Sequence, residues 1–221
     1  MNANKLDDDA ALDPPLDPAA MLALMQREQR EMPRRMARQI PWILLAWGIA
    51  WFVGFGMLWL IDGARPMFSV PLVVSVAVFI GVQIGAVVVS AIIGARSGRG
   101  IKSSPAAAFT GTVYGVTASA AFFSMWVFAA GLQANGMDKD LQTIFFPTAM
   151  GIVIAILYSI AGAIWHAIPA IVMGAGILVV SLIAPFFGYP NHYLFLALAG
   201  GAVFFAGAIS VAIYARGSSA R

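Results

Sequence analysis

Residues 144–187 read IFFPTAMGIVIAILYSIAGAIWHAIPAIVMGAGILVVSLIAPFF, 44 positions without one Asp, Glu, Lys or Arg. The hydrocarbon core of a bilayer is about 30 Å thick, and about 20 helical residues cross it. The stretch is too long for one crossing and the right length for two. Its one plausible interruption is Trp165-His166-Ala167-Ile168-Pro169. Pro169 disfavours helical backbone at the residue before it. A tight hairpin there turns the stretch into two antiparallel membrane helices.

Four more apolar segments flank this pair: Ile40–Ile61, Phe68–Ala95, Ala107–Gln133 and Leu194–Tyr214. Polar breaks separate them at Asp62–Pro66, Arg96–Lys102, Asn135–Asp140 and Gly188–Tyr193. The second segment exceeds one crossing, so it is expected to tilt or to begin in the interface. Composition agrees. Hydrophobic residues make up 61% and charged residues 10% of the 221-residue chain, against about 45–50% and 25% in soluble domains. So few charges cannot cover a water-facing surface, whereas a lipid-facing one needs no such cover. The expected fold is all-α, a polytopic six-helix transmembrane bundle with a short N-terminal amphipathic cytoplasmic helix. No internal repeat is evident.

Residues 1–16 are acidic and contain Pro14-Pro15, which reads as a disordered tail. Asp17-Pro18 is a helix-start signal, Asp as N-cap and Pro at the first helical position. Residues 17–39 are read as a juxtamembrane helix with Met21, Met25, Met32 and Met36 along one face, kinked or split by Pro33. Arg27, Arg30, Arg34, Arg35 and Arg38 are expected to hold it against anionic headgroups. The membrane domain then covers residues 40–215, and 216–221 form a short tail.

The net charge of +3 is no sign of a nucleic-acid face, because seven of the ten acidic residues precede position 32 and the basic residues cluster at span ends. With the N-terminus inside, eleven of the thirteen Lys and Arg fall on the cytoplasmic side, and only Arg65 and Lys139 fall outside. The positive-inside rule therefore places both termini in the cytoplasm and the chain in the plasma or inner membrane.

The absence of cysteine excludes disulfides, thiolate nucleophiles and Cys-ligated metals. No charged residue lies deep in a predicted span, which argues against proton-coupled carriers, pumps and voltage sensors. No Walker A, dinucleotide or G-x-S-x-G motif is present. His166 and His192 fall on opposite membrane faces, too far apart to share a metal, and are read as interfacial rings beside Trp165 and Tyr193. No catalytic residue, metal site or cofactor is expected.

Polar residues inside the spans are the remaining candidates. Thr110, Tyr114, Thr117 and Ser124 share one face of the third span, with Gly111 and Gly115 forming GxxxG beside them. Gln83 is the amide deepest in a span and shares a face with Ser90. Each set has two readings, a lined solute path or helix packing, and small and hydroxyl residues are common at membrane helix interfaces. Packing is favoured for both sets, with Gly111 and Gly115 marking a close helix contact and Gln83 making one interhelical hydrogen bond.

The segments WGIAWFVGFGMLWLID (47–62), AIWHAIP (163–169) and FFGYPNHY (186–193) resemble a group of bacterial six-helix integral membrane proteins. The likeness extends over most of residues 20–215. It implies six helices and brings no activity with it. Permease subunits of ABC exporters are similar in architecture, with six spans and often an amphipathic helix before the first. The sequence thus reads as a non-enzymatic component of a transport system, a permease-like subunit. The alternative is a regulatory or scaffolding membrane protein that binds a protein partner or a second copy of itself.

The topology is testable with reporters fused after Arg99, Asp138, His166 and Arg221. Cytoplasmic signals are expected at all but Asp138. A cytoplasmic signal at Arg99 with an external one at Arg221 rejects six crossings.

Overall fold

A computed structural model describes the backbone of residues 18–97 and 104–217, and the side chains of residues 39–96 and 104–213. The acidic tail, the loop 98–103 and residues 218–221 lie outside the described residues, as do the arginine and methionine side chains of 18–38. All the described secondary structure is helical: α1 Pro18–Trp59, α2 Leu72–Ser97, α3 Pro105–Ala134, α4 Lys139–Ile164, α5 Ile168–Ile183, α6 Asn191–Phe195 and α7 Gly201–Gly217. A 3-10 turn, Ala184–Phe187, extends α5, and a π turn, Leu196–Gly200, joins α6 to α7. Six helical segments are long and apolar enough to cross a membrane: Gln39–Trp59, Leu72–Arg96, Pro105–Ala134, Lys139–Ile164, Ile168–Phe187 and Asn191–Ile213.

Two boundaries correct the sequence reading. No break occurs at Pro33, because helical backbone continues through Pro33 and Pro41 to Trp59. A proline forfeits one backbone bond of a helix, and residues 25–40 contain no glycine to weaken the turns on either side. Conversely, α2 starts at Leu72 rather than Phe68. The intervening chain is occupied with the end of α1. The Val70 N–H reaches the Leu60 carbonyl at 3.0 Å and the Ser69 hydroxyl donates to the Ile61 carbonyl at 2.8 Å. These bonds satisfy carbonyls that a helix terminus leaves unpaired.

The other ends follow local rules. Ser104 caps α3 by accepting from the Ala107 N–H at 3.2 Å, with Pro105 as first helical residue. Asp138 caps α4 by accepting from the Asp140 N–H at 3.2 Å. The α4–α5 hairpin falls where Pro169 puts it. His166 takes φ 52°, a position usually given to glycine, and the Ala167 N–H closes back on the Gly162 carbonyl at 2.8 Å.

Helices α4 and α5 pack backbone to backbone. A Cβ on Gly174 would lie 2.7 Å from the Ala155 carbonyl oxygen. Trp51 forms the centre of the core at 2% exposure, with ring centroids 5.2 Å from Phe55 and 5.4 Å from Phe204. Its indole lies over Gly200, where any side chain would collide with it. The expected close contact at Gly111 and Gly115 is absent among the described residues, since both are exposed and a Cβ on either would meet none of their atoms within 4 Å. Here α3 turns an apolar outer face outward, Phe109, Val116 and Phe123 included, as a lipid-facing helix does.

Gly174→Leu is therefore expected to destabilise the protein in mild detergent by about 1–3 kcal/mol, the usual cost of overpacking. Gly115→Leu is expected to leave the thermal midpoint unchanged. Equal losses at the two positions reject this assignment of the tight interface.

Candidate binding cavity

The end of the bundle that carries the 60–71, 135–138 and 188–190 connections is tied together by polar contacts. Pro147 lies inside α4 and has no N–H, so the carbonyl of Thr143, one turn earlier, lacks its helical donor. An unpaired carbonyl in an apolar interior costs several kcal/mol in lipid. His192 supplies the missing donor. It is fully buried, and its Nε2 lies 3.0 Å from the Thr143 carbonyl oxygen. Its Nδ1 lies 3.2 Å from the Gly188 carbonyl, which already accepts the His192 backbone N–H at 2.8 Å. The neutral ring with hydrogen on Nε2 therefore suffices to satisfy Thr143. His192 is not the interfacial ring expected from sequence. It is an interior cross-link between α4 and α6.

Three further contacts complete this end. The Tyr189 hydroxyl donates to the Asp62 carboxylate, Asp62 pairs with Arg65 at 3.1 Å, and the Trp59 indole N–H meets Asn191 Oδ1 at 3.4 Å. Burial, and then the hydrogen bond to Asp62 and its charge, push the Tyr189 hydroxyl well above the ordinary tyrosine range. Tyr189 is thus a donor throughout the physiological pH range.

Inward from this closure lies a cavity of about 450 Å³. Thr143 and Tyr193, which flank the His192 bond, also line the cavity. Along α1 it runs from Leu58 to Trp47, about 16 Å of helix at 1.5 Å per residue. Helices α1, α2 and α4 supply most of the wall, and α3 contributes Phe122. Among the described lining residues none is Asp, Glu, Lys, Arg or His.

Two polar groups of the wall are buried without a hydrogen-bond partner: the Gln83 Oε1 acceptor and the Trp51 Nε1 donor. The benzo edge of Trp51 is held over Gly200, so its N–H edge is turned away from that contact. The hydroxyls of Ser75, Thr148 and Ser181 are also buried without a partner, but none of them lines the cavity.

The residues singled out from sequence separate into two groups. Gln83 lines the cavity and its oxygen is not spent on a helix contact. Ser90 does pack helices, accepting from the Trp47 indole at 3.1 Å and donating to the Ala86 carbonyl at 2.8 Å. Tyr114 binds α3 to α4 through the Leu157 carbonyl at 2.9 Å, with its ring edge-on to Trp165. Thr110 returns its hydroxyl to the Ala106 carbonyl of its own helix at 3.0 Å. Thr117 and Ser124 are exposed on the outer side of α3. The α3 stripe therefore does not border the cavity. Sequence reasoning overlooked Trp51 and Pro147, and it placed His192 at the interface instead of in the interior. The proline within an apolar span was the available signal, because it announces an orphaned carbonyl four residues earlier.

These features define a polytopic six-helix membrane bundle with an aromatic-lined, partly open pocket. No protein-family model, no curated protein and no solved structure matches the chain.

His192→Leu removes the donor to Thr143 and is expected to cost about 1–3 kcal/mol, the penalty of one stranded buried acceptor. In a Pro147→Ala background the restored backbone N–H pairs that carbonyl, so the same histidine substitution is expected to cost much less. Thermal midpoints of the two single variants and the double variant in one detergent measure the coupling. Strictly additive losses reject it.

Proposed function

We propose that the chain is a non-enzymatic component of a membrane transport system, a permease-like subunit of the cell membrane with both termini in the cytoplasm. The observation that supports this reading most is the unpaired Gln83 Oε1 in the cavity wall. An amide that serves only to join helices finds a partner on the neighbouring helix, for that bond is its contribution. Gln83 and Trp51 both line the cavity, and the Gln83 Oε1 acceptor and the Trp51 N–H donor are each buried without a partner. Placing polar groups in an apolar site fixes the orientation of a ligand and selects among ligands. With no charged side chain in the described wall, such a site suits a neutral solute rather than an ion. The energy for directed movement then comes from a partner subunit.

A second reading is a regulatory or scaffolding protein. Its support is the outer face of α3, where Gly111 and Gly115 are exposed beside Thr117 and Ser124. Small and hydroxyl residues of this kind allow another membrane helix to approach closely.

Gln83→Leu separates the two. Under the transport reading the variant reaches the membrane in normal amount and loses the solute-dependent phenotype of the wild-type chain, because leucine cannot satisfy the solute's hydrogen bond. Expression and phenotype are measured in the same cells. A phenotype that simply follows protein level rejects the solute role of Gln83 and favours scaffolding.

A further inference from the structure

We infer that the pocket holds one acyl tail of a membrane phospholipid, drawn from the leaflet on the side of the 60–71, 135–138 and 188–190 connections. A bound tail needs only the pocket and the bilayer, whether or not the chain carries a solute. Depth is the first constraint. Along α1 the pocket is limited by Leu58, beside the end of the Gln39–Trp59 span, and by Trp47, near the middle of that span. Along α4 it runs from Thr143, one turn into Lys139–Ile164, to Ile154 near the middle. Phe122 likewise lies near the middle of Pro105–Ala134. The pocket thus reaches from one end of the bundle to the mid-bilayer. Its length of about 16 Å matches one leaflet, half of a hydrocarbon core about 30 Å thick.

Volume agrees. A cavity of about 150 Å³ holds the six carbons of benzene. At about 450 Å³ the pocket has room for about eighteen, the size of one acyl tail. The opening gives the next constraint. Val87 and Phe146 line the pocket and are themselves exposed, and both lie away from the ends of their spans. The mouth therefore faces lipid, and a tail enters sideways without leaving the hydrocarbon. The wall decides among occupants. No charged side chain is in the described wall, and the Gln83 Oε1 and Trp51 Nε1 atoms are buried behind its surface. Water gains little there, because an ordered water needs two to four polar partners. An empty pocket forfeits dispersion contacts along its lining, and a tail restores them. A second helix, about 10 Å across, is too wide to enter.

The test uses the full chain in mild detergent, recharged with dioleoyl phosphatidylcholine, and native mass spectrometry while rising detergent strips loosely held lipid. One phospholipid per chain is expected to stay after the rest have left. Met150→Trp fills the pocket and Val87→Trp covers its mouth. Each is expected to lower retention about tenfold, the factor of a modest overpacking cost. Val179→Trp, at an exposed position outside the pocket, is expected to leave retention unchanged. Equal retention by all four proteins places the lipid elsewhere and overturns the inference, as does retention by none. Retention of detergent or free fatty acid alone overturns the phospholipid as occupant. A second measurement needs no variant. In nanodiscs of the same lipid with a diazirine at the middle of one tail, light is expected to give adducts at Phe79, Phe122 and Met150. Adducts confined to outward residues such as Phe109 and Val172 overturn the inference. None of these outcomes bears on the Gln83→Leu phenotype, which tests the transport reading separately.

Discussion

A carbonyl with no helical donor, inside a medium that offers no water, has to be paired by the protein itself. Pro147 creates that demand at Thr143, and His192 meets it at 3.0 Å. Much of the neighbouring geometry follows from this bond. It fixes the start of α6 against the first turns of α4, and it sets the histidine ring beside Tyr193, 3.9 Å between centroids. The same turn of α4 lines the cavity through Thr143, Phe146 and Pro147. The element that closes the polar end therefore also shapes the wall beneath it.

The cavity persists because its walls are held from behind. Trp51 is backed by Gly200 and Gly151, and each would collide with a neighbour if it carried a side chain. Trp47 is anchored through its indole to Ser90. Phe55 is tilted against Phe79 across α1 and α2, 5.3 Å between centroids. Close packing at the glycines and open volume in front of the tryptophans are two sides of one arrangement.

The six spans were legible because length, hydropathy and the Pro169 hairpin leave little choice in a bilayer, where each helix must satisfy its own backbone. Helix contacts were less legible. GxxxG at Gly111 and Gly115 was the conspicuous motif, yet the tight interface is α4–α5, carried by Gly151, Ala155 and Ser159 at four-residue spacing and by Gly174 opposite. Small residues show that close approach is permitted, and only the partner helix shows whether it occurs. Gln83 was identifiable as an unusual amide. That its oxygen is unpaired, and that Trp51 stands at the same cavity, depends on side chains from separate helices, which spacing along one helix does not encode. His192 was masked by its place in a turn, where aromatic and imidazole rings are ordinary.

The π turn at Leu196–Gly200 has a consequence for helical phase. His192, Leu196, Gly200, Phe204 and Ala208 are all buried, at a strict interval of four residues. A regular α-helix advances by 3.6 residues per turn, so a four-residue interval drifts by about 40° at each step. Four such steps would carry Ala208 to nearly the opposite side of the helix from His192. The π turn, with its wider i→i+5 closure, winds back part of that drift and keeps the row directed at the core. In effect it absorbs one residue that a uniform helix could not accommodate. Loss of a single residue between 196 and 200 would return the segment to α-helical winding. Because that extra residue is what the π turn absorbs, Phe204 and Ala208 would keep nearly the same bearing toward Trp51, and His192 would stay where it is. The π turn is the device that lets one helix serve the polar closure and the core at the same time.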